Sequence, residues 1–437
     1  MPDLLAARAQ MGVSLGFHIV FAVIGIAMPL LMVVAEVRWL RSGDTVYLEL
    51  ARRWAKGTAV LFAVGAVSGT VLSFELGLLW PGFMELAGPI IGIPFSLEGF
   101  AFFVEAIFLG VYLYGWTRIP ARAHVAAGVL VAVSGALSGV FVVIVNAWMN
   151  APTGFILDAG RIVAVDPLAA MANDAAFTQT LHMTLAAYST TGLAVAGIHA
   201  WALRRDPMNA FHLKALKVAL FVGAPAAILQ PLAGDLAARH VARAQPAKFA
   251  AMEALFVTRR GAPLTLGGWP DVEARETRYA IEVPRALSLL TFHDADAEIA
   301  ALDRVPREDW PNVPAVHLSF QVMVALGGYM ALVSVWALAV LGRRRELAGR
   351  PRLLLALALA TPMGFVATEA GWMVTELGRQ PWVIQGVLRT ADAVTPMPGL
   401  VVPFAAFTLL YAFLGVVVLV ILRRLTRHTP VVLDEGR

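Results

Sequence analysis

The sequence predicts an all-α, polytopic membrane protein with about nine transmembrane helices. Hydrophobic residues make up 59% of the 437 and charged residues 15%, whereas a soluble chain usually carries about a quarter charged residues. Mean hydropathy is +0.72. Apolar runs long enough to span a bilayer recur along the chain, separated by short polar segments. The chain has no cysteine, so disulfides and thiolate-held metal centres are excluded. Any cofactor ligands must come from histidines, methionines or carboxylates. The basic excess, 34 Lys+Arg against 30 Asp+Glu, reads as charge in cytoplasmic loops rather than as nucleic-acid binding. The first apolar segment, 11–35, is too long for a signal-peptide core and lacks a small-residue cleavage site.

A spanning helix needs about 20 mainly apolar residues. Nine stretches meet that need, near 12–37, 57–80, 95–116, 124–148, 177–202, 214–233, 316–341, 353–376 and 400–422. An odd count places the termini on opposite sides. Segments 38–56, 118–122, 204–217, 343–352 and 423–437 follow the odd-numbered stretches and hold 20 of the 34 Lys+Arg. The short segments on the other side hold only Arg8, Arg161, Arg379 and Arg389. The N-terminus is therefore expected outside and the C-terminus in the cytoplasm. Three units follow: 1–233 with helices one to six, a long external loop over 234–315, and 316–437 with helices seven to nine. Within the loop, "GAPLTLGGWPD" and "RVPREDWPNVP" predict turns rather than a buried core. A loop of about 80 residues without an element pattern predicts a functional lid or a mobile segment.

Ionisable groups inside spans are expensive and hence candidates for function. At a rise of about 1.5 Å per residue, His18 falls in the outer third of the first span. Glu98 falls near the outer surface of the third, with Glu105 about 10 Å deeper. His182 lies one to two turns into the fifth span, Met323 about two turns into the seventh, and Glu376 near the outer end of the eighth. Most of these six are expected at one depth. Each has an ordinary alternative: a lone histidine is often a packing residue, and methionine is common core filler. Unpaired carboxylates such as Glu98 and Glu105 are harder to place that way. Glu36, Arg38 and Arg41 read as interfacial, and His124, His199 and His212 as solvated near the cytoplasmic surface.

Imidazole and thioether are haem-iron ligands, and a His/Met pair gives a six-coordinate electron-transfer haem. Carboxylates suit proton delivery or anionic ligation. In the external loop, Lys248 and Glu253 could hold the polar end of a lipid-soluble reductant. A membrane redox enzyme fits this set. The alternatives are a di-haem electron-transfer subunit that does not reduce oxygen and a carboxylate-based proton-coupled transporter.

Seven segments carry a resemblance over nearly the whole chain. They are "SLGFHIVFA" (14–22), "SLEGFAFFVEAIFLGVYLYGW" (96–116), "NAWMNAPTG" (146–154), "LHMTLAAYSTTG" (181–192), "QPAKFAAMEA" (245–254), "FQVMVALGGYM" (320–330) and "GWMVTELGRQPW" (371–382). In this order they resemble subunit I of the cytochrome bd-type quinol oxidases, and the GRQPW box is the most diagnostic single piece. The resemblance implies a bacterial cytoplasmic-membrane oxidase that oxidises quinol at the outer face and reduces O2 to water. It would build proton motive force without pumping. It implies three haems: a low-spin haem b on His182 and Met323, a high-spin haem b, and haem d or a second high-spin haem b. His18 and Glu376 would serve the two high-spin haems.

The resemblance further implies Glu98 beside the oxygen-reducing haem and Glu105 on the proton route to it. Trp372 would stand between haems, Arg379 would neutralise propionates, and Asn146 would join the cofactor site. Lys248 and Glu253 would act in quinol oxidation. Implied partners are subunit II of the oxidase, a small single-helix accessory subunit, quinol, O2 and the lipid bilayer, with no nucleic acid. Three departures from the family pattern bear on function. Glu105 follows Glu98 by seven residues, one fewer than in some relatives, which implies a changed face for Glu105. Gln321 stands where many members have arginine, which implies a lower potential for the nearby low-spin haem. The external loop is short, as in the cyanide-insensitive branch, some of whose members carry haem b in place of haem d. Gly378 and Pro381 are expected to end the eighth span at the GRQPW box.

Overall fold

The structure is a computed structural model and describes residues 1–158, 161–343 and 346–427. Parts of two basic segments, 344–345 and 428–437, lie outside the described residues. In chain order the helices are α1 (Asp3–Ser42), α2 (Thr45–Leu79), α3 (Pro81–Tyr114), α4 (Ala121–Asn150), α5 (Pro167–Met171), α6 (Ala176–Leu203), α7 (Ala210–Ala244), α8 (Pro246–Met252), α9 (Ala286–Phe292), α10 (Val313–Gly342), α11 (Pro351–Arg379), α12 (Thr390–Ala393) and α13 (Val401–Arg427). The short strands are β1 (Phe155–Asp158), β2 (Arg161–Val165), β3 (Arg259–Arg260), β4 (Leu264–Leu266), β5 (Trp269–Asp271), β6 (Glu276–Arg278), β7 (Ile281–Val283), β8 (Glu298–Ile299), β9 (Trp382–Ile384) and β10 (Leu388–Arg389). Each of the nine predicted stretches falls on one long helix.

Several helices outrun the apolar stretches that predict them. α3 begins at Pro81 rather than near 95 and is 34 residues long. That is about 50 Å, well beyond a hydrocarbon core of about 30 Å. α7 continues to Ala244, so the external loop begins eleven residues later than the expected 234. Its last turns are too polar to look like a span, yet good helix formers hold them, with Asp235 and Arg239 paired at 2.7 Å across one turn. Eight of the long helices are apolar enough to cross a membrane, and α6 is the one that falls short. Its polar side chains turn inward: Thr191 donates to the Val23 carbonyl at 3.0 Å, and Thr190 meets Thr368 at 3.2 Å.

Pairs α1/α2, α3/α4, α6/α7 and α10/α11 pack along their lengths, and α6 also packs on α11. The main core gathers Leu31, Leu193, Leu216, Ala337 and Leu357 from α1, α6, α7, α10 and α11. By contrast, α2, α3 and α13 leave large apolar side chains uncovered, including Phe74, Phe100, Phe103 and Leu409. Such a surface is suited to lipid or to another membrane subunit.

The external loop has a core of its own, which corrects the expectation of turns alone. β3 pairs with β8, β4 with β7 and β5 with β6. These pairs enclose Phe249, Leu255, Ala262, Leu287 and Ile299 in one apolar cluster. Strands of two or three residues are too short for period-two patterning to reveal. Two side chains of α10 tie the loop down. His317 sits 2.8 Å from the Met252 carbonyl and 2.9 Å from that of Gly267. The Gln321 amide donates to the Thr265 carbonyl and accepts from the Gly267 N–H, both at 3.0 Å.

The helix ends farthest from this loop hold a second correction. His124, expected in solvent, is buried and bonded to Glu36, which is itself 1% exposed. His199 is buried too and meets His212 at 2.9 Å between Nδ1 atoms.

Candidate functional site at the outer ends of the helices

The final turns of α11 start a hydrogen-bonded chain that joins three helices, α11, α4 and α8. Glu376 accepts from Asn146 Nδ2 and from Arg379 Nη2, each at 2.5 Å. One turn further along α4, Asn150 donates to Asn146 Oδ1 at 3.1 Å. Asn150 Oδ1 then accepts from Lys248 Nζ at 2.7 Å and from Gln245 Nε2 at 3.1 Å. Lys248 reaches this point because Gly378 has no side chain: a Cβ there would stand 2.8 Å from Lys248 Cγ. α11 runs on to Arg379, so Gly378 provides a close approach and does not end the helix. The helix ends inside the GRQPW box, as expected.

Burial sets the charges in this chain. It pushes the Lys248 ammonium down to about 7, helped by Arg379 and opposed by Glu376. It pushes the Glu253 carboxyl up to about 8, and Glu253 Oε2 has no partner. Both groups therefore change protonation near neutrality, a property of proton-handling sites. Arg379 is 2% exposed, yet its Nε and Nη1 have no partner. A buried guanidinium with two unmet N–H groups is a cradle for an anion such as a carboxylate.

The expected haem ligands come singly from separate helices. His18 Nδ1 lies 2.9 Å from Ser68 Oγ, whose own hydrogen goes to the Val64 carbonyl at 3.0 Å. Ser68 therefore accepts from Nδ1, which leaves the Nε2 lone pair of His18 free to ligate. The Gln230 amide lies across His182, at 3.2 Å from Nε2 and 3.3 Å from Nδ1. Met323 reaches α11 over Gly371, where a Cβ would stand 3.0 Å from its sulfur. His182 and Met323 thus belong to one packed group, α6, α7, α10 and α11. Trp372 lies between α1 and α6 in an apolar cluster with Ile19, Ala136, Met183 and Phe365. Among the described residues no three His, Asp or Glu converge to hold a bare metal ion. Iron already held by a porphyrin needs only one or two protein ligands.

The carboxylates of α3 do not share the depth of Glu376. Ser138 donates to Glu98 at 3.0 Å, while Asn146 donates to Glu376. Those two α4 residues are eight apart, so Glu98 lies about 12 Å deeper along the bundle. Glu98 departs from its expected depth because α3 begins at Pro81, well before the apolar stretch that predicts it. Glu105 is deeper still, where a Cβ on Gly135 would stand 3.1 Å from its carboxylate.

Sequence reading also missed residues that the fold brings in. Glu369, seven residues before Glu376, has a buried Oε1 without a partner. Its spacing from Glu376 was the available signal. Asn150 was legible as the residue one turn beyond Asn146. Ser68 and Gln230 carry no local signal, because only packing takes them to the histidines.

Comparison with known proteins settles the family. Residues 6–430 match the sequence model described as Cytochrome bd terminal oxidase subunit I. The chain belongs to that family. A Bacillus subtilis relative, provisionally named a cytochrome bd menaquinol oxidase subunit I, is 37% identical over 99% of this chain and 98% of its own length. Cytochrome bd ubiquinol oxidase subunit 1 of the same organism is 30% identical, covering 95% of this chain and 92% of the relative. The solved bd oxidase of Geobacillus thermodenitrificans matches with a TM-score of 0.92 and 37% identity, covering 98% of this chain and 99% of that one. This cytochrome bd subunit I is therefore a quinol oxidase component of the bacterial inner membrane, with haem cofactors and a second subunit beside it. Its free His18 Nε2, the Met323 thioether and the unmet N–H groups of Arg379 suit haem iron and haem propionates.

Proposed function

We propose that this subunit oxidises quinol at its outer face and supports O2 reduction to water at a high-spin haem, without pumping protons. The observation that supports this reading most is the unbroken chain from Lys248 through Asn150 and Asn146 to Glu376 and Arg379. It joins a proton-accepting group in the external loop to the residues best suited to hold haem.

The neutral Lys248 amine accepts a proton from the quinol hydroxyl, and Asn150 holds that amine in place. Glu253 takes or returns a second proton near neutrality. His182 and Met323 ligate a low-spin haem b; His18 and Glu376 serve two high-spin haems, of type b and either d or b. When bound, the haems carry electrons and bind oxygen. Arg379 balances propionate charge, and Trp372 fills the space between cofactor sites so that water is kept out. Glu98 and Glu105 hold protons on the way to the oxygen site. Subunit II covers apolar surface of the kind left open on α2, α3 and α13.

The test is spectroscopic. His182→Ala and Met323→Leu should each abolish the low-spin haem bands of the reduced-minus-oxidised spectrum and quinol-driven reduction. Intact low-spin bands in both variants would overturn the assignment.

A further inference from the structure

The seam between α3 and α4 continues inward past Glu105. Glu98, Glu105 and Tyr112 are spaced seven residues apart on α3, so they fall on one stripe, about 10 Å apart. α4 answers with Ser138, Gly135 and Gly128, also on one face. Ser138 bonds Glu98. A Cβ on Gly135 would meet the Glu105 carboxylate at 3.1 Å, and one on Gly128 would meet the Tyr112 ring at 2.7 Å. The two glycines therefore make room for Glu105 and Tyr112.

Beneath Tyr112 the stripe ends in a buried pair. His124 Nε2 lies 2.9 Å from the Tyr112 carbonyl. A carbonyl only accepts, so Nε2 carries a hydrogen. His124 Nδ1 lies 2.7 Å from Glu36 Oε1. Both atoms bear lone pairs, so at that distance one proton must sit between them. Held on either side, that proton keeps the pair neutral overall, with no uncompensated buried charge. Glu36 Oε2 and the Tyr112 hydroxyl are both buried, and the hydroxyl lies beside the Glu36 carboxylate. One oxygen of the carboxyl thus shares a proton with His124, and the other is free to pass one on.

We propose that His124, Glu36 and Tyr112 form the proton-loading station at the cytoplasmic end of the α3/α4 seam, feeding Glu105 and then Glu98. The inference rests on the proton role proposed above for those two carboxylates. One proton reaches the His124–Glu36 pair from the cytoplasmic side, and one leaves through Tyr112 towards Glu105. The pair then returns to its starting charge. Leu109 lies between Tyr112 and Glu105 on the stripe, so water beside it carries the middle step. The Trp116 ring covers His124 at 4.1 Å, with Arg52 over Trp116 at 5.3 Å. Other charged groups on the surrounding elements are Arg38, Lys56, Arg118 and Arg122, all exposed cations, and Glu49, held by Arg53 at 2.5 Å. Glu49, the one carboxylate among them, is paired with Arg53, so Glu36 is the carboxylate that meets His124.

Glu36→Gln is the discriminating variant in the complete oxidase. A glutamine amide donates to His124 Nδ1, so both hydrogen bonds survive and only the shared proton is lost. Reconstituted in vesicles with a pH-sensitive dye on the cytoplasmic side, Glu36→Gln and Tyr112→Phe should each slow proton uptake during reoxidation by about tenfold or more. The haem bands and the anaerobic rate of quinol-driven reduction should stay at wild-type values. Wild-type uptake in Glu36→Gln, with slowed uptake in Glu105→Gln, overturns the loading station and leaves the role of Glu105 standing. Wild-type uptake in Glu105→Gln overturns the route itself. If Glu36→Gln loses its haem bands, Tyr112→Phe decides, because it removes a single hydroxyl: unslowed uptake there overturns the proposal.

Discussion

The outer ends of α4 and α11 and the seam between α3 and α4 use polar residues in opposite ways. At the outer ends, each side chain bonds the next, from Lys248 to Arg379, and the chain ties the external loop to the helices. Along the seam, Glu98, Glu105 and Tyr112 are isolated from one another by about two turns each. A connected network holds its members in one geometry, which suits binding a substrate or a cofactor. A spaced ladder cannot position anything, but it can pass protons when water fills the gaps. The first arrangement suits holding a substrate or cofactor, and the second suits passing protons.

Breaking one link in each region exposes the difference. Asn150→Ala removes the acceptor of Lys248 and leaves a buried amine without a partner, which costs about 1–3 kcal/mol. Quinol oxidation should fall about tenfold to a hundredfold, while the low-spin haem bands persist; stopped-flow reduction by quinol measures both. Ser138→Ala removes a single bond from the seam, and turnover there should change by less than about threefold.

The pH profile sharpens the comparison with a smaller effect. The folded-state value of Lys248 is lowered to about 7, so the neutral amine that accepts a quinol proton appears as pH rises through that value. The initial rate of quinol-driven haem reduction should therefore climb through about pH 7. Glu253 loses its proton only around 8, so Glu253→Gln should slow the reaction near neutrality by removing the group that handles the second proton, and should flatten the alkaline side. The linked stability runs the same way for Lys248, since its unfolded state binds the extra proton between about 7 and 10.5. Folding therefore gains from that group as pH rises across the window. A rate that is flat from pH 6 to 9 in this assay (a window of about three units around neutrality) would remove Lys248 from the reaction.

Much of this was legible in the sequence, and the exceptions have physical causes. All nine long helices were visible as apolar runs, His18, His182 and Glu376 stood out because ionisable groups are rare inside such runs, and Met323 was legible through the FQVMVALGGYM segment. Depth was misread for Glu98, because the apolar run puts the start of α3 near 95 whereas the helix begins at Pro81. The core of the external loop was invisible, since its strands are two or three residues long. Glu36 and His124 looked like surface residues because each is polar and near a basic segment. Only the fold shows that they meet each other, 88 residues apart in sequence.

The most direct test of the account is the proton balance of the complete oxidase in oriented vesicles. During quinol-driven oxygen consumption it predicts about one proton released outside per electron, with the same number consumed from the cytoplasmic side, each electron moving one charge worth about 2.3 kcal/mol per 100 mV. Release of about two per electron would mean a pump, and no charge movement at all would place both reactions on one side. Either result would contradict the separation of the outer network from the inner seam.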